Sequence, residues 1–241
     1  MREVRVYTCQ PLSSGEDVIL DPMASRHLTV LRLKPGSQIT LFNGNGGEYA
    51  ARLTETGSKT HRLAVGEFDD RKTESPLATH MGIGISRGDR MDMVVQKATE
   101  LGIQKITPLY TERTEVKLKG DRVDKKMRHW QQIVISACEQ CGRNTLPELA
   151  QPQPLQDWLD SPAGLKFVLH HRSEKSLNSY TETPDSIALL VGPEGGLSKQ
   201  EIDAAQQAGF KPLTLGPRVM RTETAPLAAI SIFQFLWGDM G

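Results

Sequence analysis

Leu189-Leu-Val-Gly-Pro-Glu-Gly-Gly-Leu197 decides how the larger part of this chain is read. An apolar run, 187–191, carries the backbone into a Gly-Pro-Glu-Gly-Gly turn. Ser198, with Glu201 three residues on, then spells the capping box of a helix start. Strand, glycine-rich turn and capped helix together bring backbone N–H groups to the carboxyl edge of a sheet, where open α/β folds bind ligands. The turn lacks the lysine of a phosphate-gripping loop and the spacing of a dinucleotide fingerprint. A ligand here is expected to be held by shape and backbone hydrogen bonds; the alternative is a tight strand–helix turn that binds nothing.

A second such stretch, Leu215-Gly-Pro-Arg-Val-Met-Arg-Thr-Glu-Thr-Ala225, again follows a strand pattern and opens a helix, with Thr222 or Thr224 available as N-cap. Two Gly-Pro turns, at 192–193 and 216–217, are expected to form two walls of one pocket. Around them strands (80–85, 105–110, 166–169, 187–191, 212–215) alternate with helices (90–101, 121–139, 155–159, 199–208, 222–237), which predicts a parallel α/β sheet. Residues 86–90 end one of these strands and so face the same edge. The last helix is apolar on several faces, through Leu227, Ile230, Phe233, Phe235 and Leu236, and must be buried in the core or at a subunit interface.

The first seventy residues follow a different grammar. Short alternating runs at 4–7, 38–42, 48–54 and 62–68 are separated by Gly, Pro and Asn turns, with Asn43-Gly-Asn-Gly-Gly47 as a hairpin loop and one helical turn at 27–33. This predicts a small β-barrel, with a polar linker at 69–76 and domains at 1–72 and 73–241.

Composition narrows the classes. The chain has 241 residues, 38% hydrophobic and 24% charged, with zero net charge, which is ordinary for a soluble globular protein. Without a run of eighteen apolar residues or a signal-like leader, neither a membrane span nor export is expected. Cys9, Cys138 and Cys141 make no disulfide framework, so a reducing cytoplasm is expected. Cys138 and Cys141 lie at helical spacing without a second ligand pair, and His170-His171 lacks a third ligand, so no metal is expected. Gly82-Ile-Gly84 fails the nucleotide-binding spacing because its third glycine, Gly88, comes one residue late. Cations outnumber acids over 79–150 and cluster at 113–128, which is either a solvated helix face or a local surface for nucleic acid.

The two glycine-rich stretches, with Gln96-Lys-Ala-Thr-Glu-Leu-Gly102, Thr111-Glu-Arg-Thr114 and Ala137-Cys-Glu-Gln-Cys-Gly-Arg143, resemble the small-subunit ribosomal RNA uracil-N3 methyltransferase family of the knotted SPOUT superfamily. The resemblance covers essentially the whole chain, and the barrel resembles that family's PUA-like RNA-binding domain. It implies an α/β SPOUT domain with a deep C-terminal trefoil knot behind a PUA-like barrel. It also implies S-adenosylmethionine as cofactor, and N3 of the uridine at position 1498 of 16S rRNA, within the small ribosomal subunit, as acceptor. A homodimer through the knot region and the C-terminal helix is implied as well.

Carried over residue by residue, the cofactor site would take Leu169 and His170 from one strand end. Leu190, Val191, Gly192, Gly195 and Gly196 would come from the first turn; Leu215, Gly216, Met220, Thr222, Thr224 and Ala225 from the second. Met220 stands where leucine is more usual, and Pro226 follows in the first helical turn, where its missing N–H is tolerated. Methyl transfer from a sulfonium demands in-line positioning. Uracil N3 is protonated at neutral pH, so candidates are Glu223 as base and Arg221 or Arg143 as the cation facing the developing anion. Each has a plainer alternative: Glu223 as helix cap, Arg221 as its ion-pair partner, Arg143 on a phosphate. Phosphate contacts are expected from Arg2, Arg5, Arg26, Arg32 and Lys34 on the barrel, and from Arg113, Lys117 and Lys119 on the larger domain. Rival readings are a related enzyme acting on tRNA or a ribose hydroxyl, a non-catalytic assembly factor, and a nicotinamide oxidoreductase.

Overall fold

Alternating burial along β4 (Glu48–Thr56) and β5 (His61–Asp69) builds the sheet of the first unit: His61, Leu63 and Val65 are buried, while Arg62 and Ala64 are more open. The computed structural model describes residues 4–57, 60–116, 118–170, 177 and 183–241. The chain forms two units, Met1–Glu74 with Ile135–Leu146, and Ser75–Val134 with Pro147–Gly241. The first thus takes in a segment that the sequence reading assigns to the larger domain.

In the first unit five strands run in the order β1 (Arg5–Tyr7), β3 (Gln38–Phe42), β4, β5 and β2 (Asp17–Ile19). β1 lies parallel to β3 and the other pairs are antiparallel. Val6, Leu20, Leu28, Leu41, Leu53 and Leu63 fill the core. Where the sequence predicts one turn at 27–33, the structure has the helix α1 (Pro22–Val30). Asp21 begins it: its carboxylate accepts from the backbone N–H of Met23 (2.8 Å) and Ala24 (3.0 Å), and Pro22 opens the first turn. Residues 135–146 are held to this unit by Glu139, which accepts from Tyr7 N–H (3.1 Å) and pairs with His27 (2.9 Å).

The second unit has an all-parallel sheet in the order β12 (Lys211–Leu213), β10 (Leu165–Leu169), β11 (Ser186–Val191), β6 (Ala78–Gly84), β7 (Lys105–Tyr110) and β8 (Glu148–Leu149). β9 (Gln153–Pro154) also pairs with β7. Helices α2 (Asp89–Glu100), α3 (Asp121–Cys141), α4 (Leu155–Trp158), α5 (Lys199–Gln207) and α6 (Thr224–Trp237) alternate with these strands. Successive residues of β10 serve opposite faces. Phe167 stacks on Phe233 of α6, while Val168 joins Trp158, Leu190 and Phe210. Gly82 and Gly84 lie inside β6, as the sequence predicts. A Cβ on Gly82 would fall 2.6 Å from the Trp158 ring, so a bare backbone is what admits the indole. Trp158 Nε1–H donates to His80 Nε2 (3.0 Å), and burial holds that imidazole down to about 4. α6 buries Ala229, Ile230 and Phe233 but leaves Ile232, Phe235 and Leu236 exposed, so only part of its apolar surface is in the core.

Candidate active site

Because β12, β10 and β11 are adjacent and parallel, their carboxyl ends meet at one edge, and the segments leaving them converge there. They enclose a cavity of about 690 Å³ within the second unit. Its apolar walls include Leu169, Val191, Ile202, Leu213, Leu215 and Met220; Lys199, Asp203, Thr214 and Arg218 add polar groups. This size and lining are usual for a small organic ligand.

The first glycine-rich turn is braced from several sides. Gly196 N–H donates to Pro193 O (2.8 Å), closing it. Pro193 packs on Gly84, where a Cβ would sit 2.5 Å from Pro193 Cδ. Arg113 Nη1 donates to Gly195 O (2.9 Å). Ser198 and Glu201 form the predicted capping box, and the second oxygen of Glu201 accepts from Glu112 N–H (2.8 Å). The carboxylate of Glu194 accepts from Arg87 N–H and Arg90 Nη1, both at 2.9 Å. Burial works to raise this carboxyl, but those donors outweigh it and hold the group below the usual carboxylate range.

A family model described as an RNA methyltransferase domain matches residues 73–234, two thirds of the chain. This chain belongs to that RNA methyltransferase family. A second model, for the RNA methyltransferase PUA domain, matches residues 20–63. Ribosomal RNA small subunit methyltransferase E of Buchnera aphidicola subsp. Schizaphis graminum is 37% identical over 98% of this chain and 97% of its own length. A methyltransferase from Legionella pneumophila, solved with bound SAM, is 42% identical with a TM-score of 0.97 over the whole of both chains. The small-subunit methyltransferase E of Neisseria gonorrhoeae, solved with S-adenosyl methionine, is 41% identical with a TM-score of 0.93 over the same extent.

Of the cofactor residues expected in this RNA methyltransferase, Leu169, His170, Val191, Gly192, Gly195, Gly196, Leu215, Met220, Thr222 and Ala225 line the cavity. Leu190 is fully buried in the core beside Trp158 and Phe210. Gly216 and Thr224 stand outside the lining: Gly216 O accepts from Thr214 Oγ1 (3.3 Å), and Thr224 opens α6. Neither threonine caps that helix. Glu223 occupies the N-cap position without a side-chain cap, and Arg221 O accepts from the N–H groups of Thr224 and Ala225.

The three candidates for chemistry are placed very differently. Glu223 is largely covered, its side chain 14% exposed, with Oε2 3.9 Å from Arg90 Nε. Arg221 is exposed, and the cation facing Glu223 is Arg90 instead. Arg143 belongs to the first unit and is 4% exposed; its Nε donates to Glu74 Oε1 (3.0 Å), and its Nη2 meets the other oxygen. This forked pair occupies its guanidinium within the first unit.

Among the phosphate candidates, Arg26, Arg32, Lys34 and Lys119 are exposed. Arg5 is not: it is 6% exposed, stacks over Phe42 and lies 2.9 Å from Glu48, an ion pair by distance without hydrogen-bond alignment. Arg113 is exposed as well, with its Nη1 bracing Gly195 O. Arg2 and Lys117 lie outside the described residues. Cys138 is buried, its thiol pushed up to about 12 by desolvation, which suits a packed side chain. Arg90 is the residue that sequence reasoning named only as part of the segment 86–90; its link to Glu194, a hundred residues away, left no local signal.

Proposed function

We infer that this chain is an S-adenosylmethionine-dependent methyltransferase of small-subunit ribosomal RNA and that its acceptor is N3 of a single uracil. The observation that carries the reading is the cavity formed where both glycine-rich turns meet at the carboxyl edge of the parallel sheet. Its apolar walls and turn backbone fit a purine nucleoside, and Gly192 lies where a side chain would press on the turn. Leu169, Val191, Leu215 and Met220 would hold the adenosine. When bound, the cofactor supplies a methyl group already activated on a sulfonium.

The remaining work falls to the protein: aligning the acceptor nitrogen, excluding water and removing its proton. Glu223, between the cavity-lining Thr222 and Ala225, is the group to take that proton, and exposed Arg221 is free to meet O2 or O4 of the base. Arg143 drops out of this chemistry through its pair with Glu74. Arg26, Arg32 and Lys34 suit phosphate contacts that position RNA without reading it. The apolar strip Ile232, Phe235 and Leu236 supports a homodimer joined through α6. The strand order, with β10 between β11 and β12, supports the knotted path expected of the C-terminal segment. We place the enzyme with its ribosomal substrate in the cytoplasm. Among the described residues no helix is long and apolar enough to cross a membrane.

The deciding experiment is transfer of labelled methyl groups to small ribosomal subunits that lack the modification, followed by mass spectrometry of the nucleosides. N3-methyluridine at one site is expected. Cofactor binding without transfer would overturn the substrate, and no cofactor binding would overturn the enzyme reading.

A further inference from the structure

We propose that Arg90 is a positioning residue that locks the two glycine-rich turns to each other through Glu194 and Glu223. The proposal rests on reading the cavity as the methyl-transfer site. Arg90 is the second residue of α2, the helix that follows β6 after the short segment 85–88. Its Nη1 donates to Glu194 Oε1 at 2.9 Å, and its Nε lies 3.9 Å from Glu223 Oε2. Glu194 is the central residue of the first turn; Glu223 ends the second. One guanidinium therefore reaches both walls of the cavity from an element that belongs to neither.

The anchor itself is fixed. Gly88, at the N-cap of α2, provides no side-chain cap, and Glu194 accepts from Arg87 N–H just ahead of that helix. A carboxylate there also meets the positive end of the helix dipole. Glu194 is thus tied twice to the start of α2, by the Arg87 N–H ahead of the helix and by Arg90 within it. For Glu223 the ion-pair partner among the described residues is Arg90, and Arg221 is exposed. Arginine suits such a bridge because one arm of its planar fork donates to Glu194 while the delocalised charge stays within 3.9 Å of Glu223, whereas lysine presents a compact point charge. Exposed ion pairs add little to stability. Placement is another matter, since a shift of about 1 Å at reacting groups can cost on the order of a hundred-fold in rate. Arg90 touches the acids rather than the ligand, so its effect belongs in turnover and turn order more than in the stability of the fold.

The test uses full-length Arg90→Ala, Arg90→Lys and Glu223→Gln proteins and the Arg90→Ala/Glu223→Gln double variant. Methyl transfer to small subunits, calorimetric S-adenosylmethionine binding, thermal melting and amide hydrogen exchange are measured on each. Arg90→Ala should lower kcat by about ten- to a hundred-fold and weaken cofactor binding by a smaller factor, with the melting temperature little changed. Arg90→Lys should recover part of kcat. In the Glu223→Gln background, where turnover is already lost with the proposed base, the Arg90 substitution should add little further loss of cofactor affinity, because the two act as a unit. Amides at 192–196 and 220–225 should exchange faster in Arg90→Ala. Turnover within two-fold of wild type, fully additive effects, or unchanged exchange at both turns would overturn the clamp. If the wild-type protein transfers no methyl group, the functional reading fails, and exchange at the two turns still judges the clamp.

Discussion

Gly192→Ala is the sharpest test of how the cavity is built. A Cβ at this position would sit 2.9 Å from Leu197 N, 3.0 Å from the carbonyl carbon of Gly196 and 3.1 Å from its Cα. Ordinary van der Waals contact begins at 3.4 Å, so the turn must open by about half an ångström. The obstacles are backbone atoms, which cannot rotate aside as a side-chain end could. Overpacking of this kind costs about 1–3 kcal/mol. Gly196 and Leu197 line the cavity, so the cost falls on the shape proposed to bind the cofactor. If binding restores the closed turn, affinity should drop by about ten- to a hundred-fold, since 1.4 kcal/mol is ten-fold. Part of the cost should also appear as a melting temperature lower by roughly 2–4 °C per kcal/mol. Gly196→Ala is the control: its φ of +68° brings backbone strain of about 1–2 kcal/mol, yet nothing lies within 4 Å of its Cβ. Calorimetric titration with S-adenosylmethionine and thermal denaturation read both variants. A Gly192→Ala protein with wild-type affinity and melting temperature would refute the packing described for this turn.

Two histidines should give the two units opposite responses to acid. His27 is raised by its hydrogen bond to Glu139 against the pull of burial, so its contribution is complete below about 6.5 and fades as pH climbs through the raised value. His80 is lowered by burial and by the charge of Lys105 to about 4, so it destabilises progressively as pH falls from about 6.5 toward that value. The full His80 effect is about 3 kcal/mol before solvent screening takes its share. Melting of His27→Gln and His80→Gln at pH 7.5 and 5.5 should therefore shift in opposite senses relative to wild type, and parallel shifts would exclude this assignment. Arg32→Glu should weaken ribosomal RNA binding several-fold while leaving cofactor affinity intact; equal losses in both would deny the first unit an independent RNA surface. The proposed homodimer should fall to monomers in Phe235→Glu by sedimentation, and an unchanged mass would remove α6 from the proposed interface.

The sequence was most informative where local chemistry and burial coincide. Ser198 and Glu201 show a capping box without any tertiary knowledge, and the structure forms it. β3 and β7 sit at their predicted residues because each is a run of buried side chains between polar turns. β2, β8 and β9, of two or three residues, are too short to carry a period. Asp21-Pro22 is a helix-start signal in the sequence, and it sets the start of α1 ahead of the single turn expected at 27–33. Facing is harder to read. β11 is buried along most of its length, so burial alone does not distinguish core-facing Leu190 from cavity-lining Val191. Cations are harder still. Arg5 and Arg143 look like surface arginines until Glu48 and Glu74, distant in sequence, arrive beside them. Nor does the unbroken pattern of α3 reveal that its last turns, from Ile135, belong with the first unit.

Sheet order explains why the cavity needs residues that never touch its ligand. β11 lies beside β6, and β6 beside β7, all parallel, so the segments leaving β6 and β7 emerge next to the turn that leaves β11. Each reaches a different atom of that turn. Gly84 admits Pro193, Arg87 and Arg90 hold the Glu194 carboxylate, and Arg113 takes the Gly195 carbonyl; Glu112 secures Glu201 in the helix that follows. Thr111-Glu-Arg-Thr114 and the residues after β6 therefore form one bracket, although they lie far apart in the chain. A glycine-rich turn alone would have many conformations, because glycine restricts its backbone least. Holding residues 193, 194 and 195 each against a separate neighbour restricts that freedom before any ligand arrives, which lowers the entropy that binding must overcome. The charges around the turn are thus part of the proposed cofactor site even though they stand behind its wall, and substituting them should alter binding and turnover without emptying the core.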